Sequence, residues 1–205
     1  MKILKCKLIE GSLERYRRAC GACIGRDESN PDIKQLLLEE HSPIRCIQFE
    51  VLVEWRRSVA VHIVRHATVG QLHFMESRRP DRSKKPRTED TIVRHYMILN
   101  AQHLITISRD RLCYKNAEDH TRKAWTALIN AVAKQLPVMK EFMNPDCIYR
   151  GKCHNKNSCG FYKSLKDLFM EETVFYDIGD AISLLENGHI ESAIEVLKGV
   201  GVKNG

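Results

Sequence analysis

Residues 46–55 read CIQFEVLVEW, and the fold turns on them. Ile47, Phe49, Val51 and Val53 alternate with Gln48, Glu50 and Glu54, with Leu52 the one exception. Successive side chains of a strand point to opposite faces, so the pattern predicts a β-strand over 46–54 with one face on the core and the other in water. Just upstream, His41-Ser42-Pro43 stops any helix, because the residue before a proline is pushed out of helical conformation. The run before that stop, DIKQLLLEE, predicts a helix of about three turns between Asn30-Pro31 and Glu40. Residues 2–9, with Ile3, Leu4, Cys6, Leu8 and Ile9, predict a short edge strand that ends at Gly11-Ser12. Downstream, residues 57–66 set Val59, Val61, Ile63 and Val64 among His62, Arg65 and His66, and helical and strand periods fit equally well.

Residues 77–90, SRRPDRSKKPRTED, carry six Lys or Arg and no apolar side chain besides two prolines, so they predict a loop outside the core. Residues 91–112 place apolar side chains at 92, 93, 97, 98, 101, 104, 105 and 107, which predicts one long buried helix. A second helix is expected from about Ala117 to its stop at Pro137. A cysteine-rich loop, PDCIYRGKCHNKNSCG, follows at 145–160. Beyond it, DIGDAISLLENGHIESAIEVLKG at 177–199 reads as two short helices joined at Asn187-Gly188, with His189 on their surface. These elements make an α+β fold, a sheet covered by long helices, with a main domain over 1–160 and a helical hairpin appendage over 161–205.

A chain of 205 residues with 43% hydrophobic content can bury one real core. No apolar run approaches the roughly 20 residues that a membrane-spanning helix requires, and mean hydropathy is −0.37, so no membrane partner is expected. The first twenty residues carry no secretory pattern, so a cytoplasmic location is expected, where eight cysteines stand as thiols or metal ligands. The formal charge of +7 favours anionic partners without choosing among nucleotide, phosphate and nucleic acid.

Arg57, His62, Arg65, His66, Arg78 and Arg79 form a dense set of donors behind the surest strand. Guanidinium forks match phosphate oxygens, and imidazole changes charge near neutrality, so these types in this density suit an anion site. A solvated surface is the competing account. It is weakened because the cations emerge from an apolar segment that holds them near the core. Cys147, Cys153 and Cys159, with Cys113 from the preceding helix, supply four soft donors that would suit a tetrahedral zinc ion. Free thiols packing a loop are the alternative, and the close CxxC spacing is absent there. Cys20 and Cys23 do have that spacing but no second pair, and two ordinary buried cysteines are expected. Basic loop and metal-held loop together would make a nucleic-acid-binding module, although no aromatic residue interleaves the basic run.

HSPIRCIQFEVLVEWRRSVAVHIVRHATVG, residues 41–70, resembles the segment of the flavin-dependent thymidylate synthases that leads into their RHRxxSxNxxSxR motif. Arg65 and His66 match its first two positions, Ala67, Gly70 and Leu72 stand at the next three, and Ser77 and Arg79 recover the final Ser-x-Arg two residues late. NAQHLITISRDRLCYKNAEDHTRKAW is similar to the family's second block through Asn100, Arg111 and Arg122, with Gln102 where the family carries an arginine. A compact, divergent branch of that family also shares HSPIR, VRH, ISRxRLC and CxYRGxC...SCG, all present between His41 and Gly160.

The resemblance implies methylation of dUMP, or a related pyrimidine nucleotide, at uracil C5. FAD would be the cofactor, and methylenetetrahydrofolate and NADPH the co-substrates. It implies no obligatory protein nucleophile and an active site built between subunits of a homotetramer. Arg65, Ser77, Arg79, Arg111 and Arg122 would hold the nucleotide, and His41, His62, His66 and Asn100 the flavin side.

Overall fold

A computed structural model describes residues 1–66, 70–77, 79, 81–85 and 88–168. Its sheet has four antiparallel strands, β1 (Lys2–Leu8), β2 (Gln48–Arg56), β3 (Leu72–Met75) and β4 (Ile92–Asn100), in the order β1-β2-β4-β3. β1 lies at the edge, and β2 is the strand that its alternation requires. Phe49, Val51, Val53 and Trp55 on one face of β2 are wholly buried, while Glu50 and Glu54 on the other pair with Lys5 and Arg94.

Helices α1 (Ser12–Cys23), α2 (Ile33–Leu38), α3 (Arg57–Val64), α4 (Ala101–Arg111), α5 (Asp119–Gln135), α6 (Asp146–Tyr149) and α7 (Phe161–Leu168) complete the order, with 3₁₀ turns at Ser42–Cys46 and Pro137–Phe142. α5 packs on β1 and on α3, and its Trp125, Leu128 and Val132 are wholly buried in the core that β2 and β4 floor. Among the described residues no helix is long and apolar enough to cross a membrane.

The long helix expected over 91–112 is instead a strand followed by a helix. The apolar positions fit both periods, and β2 decides between them, because it pairs with β4 over nine residues, from Gln48 with Asn100 to Arg56 with Ile92. Val93, His95, Met97 and Leu99 then face the core together, a period-two set in which one member is polar. Asn100 ends the strand and caps α4. Its side chain accepts from the His103 backbone N–H at 2.9 Å while His103 Nδ1 accepts from the Asn100 N–H at 3.3 Å.

Four smaller differences follow from local chemistry. α2 spans six residues rather than about three turns, because its cap is Asp32, one residue after Pro31, and Glu40 already has the left-handed φ of 52°. Residues 57–64, open between two periods, form α3, which packs on α5. α1 has no counterpart in the sequence reading. Gly11, with φ 73°, turns the chain from β1 into it, and a Cβ at Gly21 would lie 2.4 Å from the Glu28 backbone, so only glycine lets the return segment pass. Cys20 is buried as expected, but Cys23 is exposed. Ala67, Arg78 and the hairpin at 177–199 with His189 lie outside the described residues, and the proposed boundary at 160 falls just before α7.

Candidate functional site

α3 ends at Val64, and the chain turns through Arg65 and His66 directly against the last turn of α4. Two conditions bring these segments together. The alternating apolar residues of α3, Val59, Ala60 and Ile63, are buried against the sheet and α5, and α4 is fixed by its capping box and by Trp125. The Trp125 indole N–H donates to Ser108 Oγ at 2.9 Å in the buried α4–α5 contact, and Ser108 in turn donates to the Leu104 carbonyl at 2.7 Å.

The result is a knot of cations. Arg111, only 8% exposed, donates a guanidinium N–H to His66 Nε2. That bond places the proton of neutral His66 on Nδ1, which faces Asp110 Oδ2 at 3.5 Å. Burial first, and then the Arg111 charge, hold both His66 and His62 below the usual imidazole value. Exposed Arg65 is near enough for its charge to bear on His62 and on Arg111 alike. His120, at the start of α5, pairs with Glu118 at 3.0 Å and meets Ser58 Oγ at 3.2 Å. The guanidiniums of Arg111 and Arg65 therefore stand among the carboxylates of Asp110 and Glu118, with the imidazoles of His62, His66 and His120 beside them. Within this knot, Arg111 Nε and His62 Nδ1 are buried without a hydrogen-bond partner. A buried guanidinium N–H left without a partner costs free energy, which an incoming phosphate oxygen would remove.

The remaining predicted site residues are distributed around this knot. Arg122, 13% exposed, lies on the other side of the α5 start, with its guanidinium 4.0 Å above the Tyr114 ring and 2.6 Å from Asp119. Ser77 and Arg79 bond each other and Asp81 beyond the far end of β3, where Arg79 is 65% exposed. Asn100 is engaged in the α4 cap. His41 is exposed and opens the 3₁₀ turn at Ser42–Cys46. Gln102 donates to Glu40, which also receives Arg109, and Arg109 in turn lies 3.6 Å over the Tyr149 ring. In the basic loop, Arg79 and Arg82 pair with Asp81, and Lys85 pairs with Glu76 at 2.7 Å.

Cys113, Cys147, Cys153 and Cys159 do meet. They line one cavity of about 100 Å³ together with Asp110, Tyr114 and others. Burial, with the three neighbouring sulfurs adding to it, pushes the Cys147 thiol up to about 12. Among the described residues, however, no group of three or more His, Cys, Asp or Glu side chains is arranged to hold a metal ion. The sequence reading overlooked Asp110, Glu118 and His120, whose only signal is that each sits within a turn of an arginine already singled out.

No family model matches the chain, and no curated protein matches it. Among solved structures, it is similar to the crystal structure of a UMP/dUMP methylase, PolB from Streptomyces cacaoi, bound with 5-Br dUMP. The TM-score is 0.52 at 15% identity, and the match covers 67% of this chain and 93% of that one. The α+β arrangement of the described residues is thus similar to that of a nucleotide methylase, and at this identity the likeness is one of fold.

Proposed function

We propose that the protein binds a pyrimidine nucleotide of the dUMP type, its phosphate at the His62–Arg65–His66–Arg111 cluster, and methylates the uracil ring at C5. The observation that carries this reading is the gathering of Arg111, Arg65, His62 and His66 in one knot, where the Arg111 Nε–H and His62 Nδ1 are buried and unpartnered. The fold likeness to a UMP/dUMP methylase and the resemblance of residues 41–70 and 100–122 support it from two other directions. A phosphate monoester brings between one and two negative charges near pH 7, enough to turn repulsion among these groups into attraction. On binding, His62 and His66 take up protons, Arg111 turns its N–H from His66 Nε2, which can then no longer accept, to the phosphate, and Asp110 keeps the His66 ring in place. Arg122, already stacked on Tyr114, is poised to reach the remainder of the nucleotide.

Flavin-dependent chemistry belongs to the proposal through the resemblance alone: reduced flavin would supply hydride, methylenetetrahydrofolate the carbon, and NADPH the electrons. The described residues do not by themselves fit a flavin cradle. Asn100 is spent on a helix cap and Gln102 on Glu40, and His41 opens a turn on the surface.

The test is one purified sample titrated with dUMP and scanned for flavin absorbance, with and without NADPH. Micromolar dUMP binding that inorganic phosphate competes with is the expected result, and a yellow colour bleached by NADPH would extend the resemblance to the flavin. A protein that ignores dUMP while binding nucleic acid with a steep salt dependence would overturn the reading in favour of a nucleic-acid module.

A further inference from the structure

A second polar feature lies between the sheet and the cation knot. His95, on the core face of β4, is 0% exposed, and its Nε2 is 3.1 Å from His73 Nδ1 on the neighbouring strand β3. His73 Nε2 is 2.9 Å from Gln71 Oε1, and Gln71 Nε2 donates to the His66 backbone carbonyl at 3.2 Å. Bonds of this kind can usually run in either direction, but here one end fixes them all. A carbonyl can only accept, so Gln71 presents its amide N–H to His66 and its oxygen to His73. His73 must then carry its proton on Nε2, which leaves Nδ1 as an acceptor, and His95 must donate from its own Nε2. Burial pulls both imidazoles below their ordinary value, His95 to about 4, so both are neutral at pH 7 and the arrangement holds. His95 Nδ1 is left as a buried acceptor with no partner, beside the similarly unpartnered indole N–H of Trp55, whose ring centroid lies 5.6 Å away.

We propose that Gln71, His73 and His95 are positioning residues for the nucleotide site: a one-way hydrogen-bond chain ties the His66 backbone to the sheet core and so holds the His66 ring between Arg111 and Asp110. The inference rests on the nucleotide reading given above. It accounts for a cost that packing alone does not explain. A histidine on the core face of a central strand takes the place of an aliphatic residue and loses one hydrogen bond, which is unfavourable unless the chain it starts is used. It also accounts for the direction of the chain, which leads from the core face of β4 across β3 to the turn that carries the Arg65-His66 motif. Short anchoring bonds of this sort set the orientation of a site residue without touching its ligand.

The test compares His73→Leu with His73→Gln. Glutamine can accept from His95 and donate to Gln71 as the imidazole does; leucine can do neither. His73→Leu is expected to weaken dUMP binding about tenfold and to shift the His66 ring resonances, and His73→Gln to restore both to within about twofold. In the unaltered protein, ¹⁵N shifts should report Nε2–H on His73 and a bare Nδ1 on His95. A His73 proton on Nδ1, or His66 resonances and dUMP affinity unchanged in a folded leucine variant, would overturn the inference. If the unaltered protein binds no dUMP, the nucleotide reading fails, and the ¹⁵N pattern and the His66 resonances still decide the chain on their own.

Discussion

Two clusters sit on opposite sides of Asp110 and differ in what they demand of a partner. On one side, Arg111, Arg65, His62 and His66 crowd together, with Arg111 Nε and His62 Nδ1 buried and unpartnered. On the other, four free cysteines share a cavity, and burial raises the Cys147 thiol so that it stays protonated. Both were candidates on residue type alone. The first side leaves a buried guanidinium N–H unpartnered, whereas a thiol costs little to leave unpaired. A cluster of apt residues is therefore weaker evidence for a ligand than a cluster left unsatisfied.

The largest expected effect that separates the two sides is that of Arg111→Met. It removes charge-assisted donors worth about 1.5–3 kcal/mol, so dUMP affinity by calorimetry should fall roughly ten- to hundredfold, while Cys153→Ser should leave it unchanged. Equal losses in both variants would erase the distinction.

Acid is the next lever. Without ligand, His62 and His66 are held below 6.5, so the unfolded chain takes up protons first and stability must fall as pH drops below about 6.5. His95, held near 4, adds a further loss on the order of 3 kcal/mol that is complete only below pH 4. Urea midpoints between pH 7.5 and about pH 4.5 should trace this decline. Saturating dUMP should flatten its upper part, because the bound phosphate favours the protonated imidazoles. A decline that dUMP does not alter would separate the imidazoles from the anion.

A smaller effect is expected from Trp125→Phe, which removes the bond to Ser108 inside the α4–α5 contact. About 1–2 kcal/mol of stability should be lost in thermal melting, and both clusters should loosen together because α4 carries Arg111 and leads into Cys113. The smallest effect is one of rate order. Iodoacetamide should label exposed Cys23 and Cys159 before half-buried Cys147, whose thiol holds its proton, and before buried Cys20 and Cys113, by mass spectrometry. Protection of Cys153 and Cys159 by added zinc would give the thiol side a ligand after all.

How much of this was legible beforehand depended on whether a residue's face could be read from its neighbours. β2 was legible because its charges alternate cleanly with its apolar side chains. β4 was not, because Tyr96 and Ile98 are apolar on the outer face and His95 is polar on the inner one, which blurs a period of two into a helical stripe. α1 was missed because SLERYRRACGAC is charged and contains the glycine that its packing requires. In the candidate site, Arg65, His66 and His62 stood out as a dense set of donors behind β2, and Arg111 through the second resembling block. Asp110, Glu118 and His120 were not found, since their roles exist only once α3, α4 and α5 meet. The Gln71–His73–His95 chain was equally invisible, because it runs across strands.

The pairing of β2 with β4 carries a kinetic consequence. The central ladder joins residues that are between 36 and 52 positions apart, so it cannot begin to close until the whole of α3, the basic loop and β3 has been gathered in. During synthesis Phe49, Val51, Val53 and Trp55 leave the ribosome long before Val93, Met97 and Leu99 arrive to cover them. Through that interval the nascent chain holds its stickiest strand in water, and its yield in the cell depends on what shields that strand while it waits.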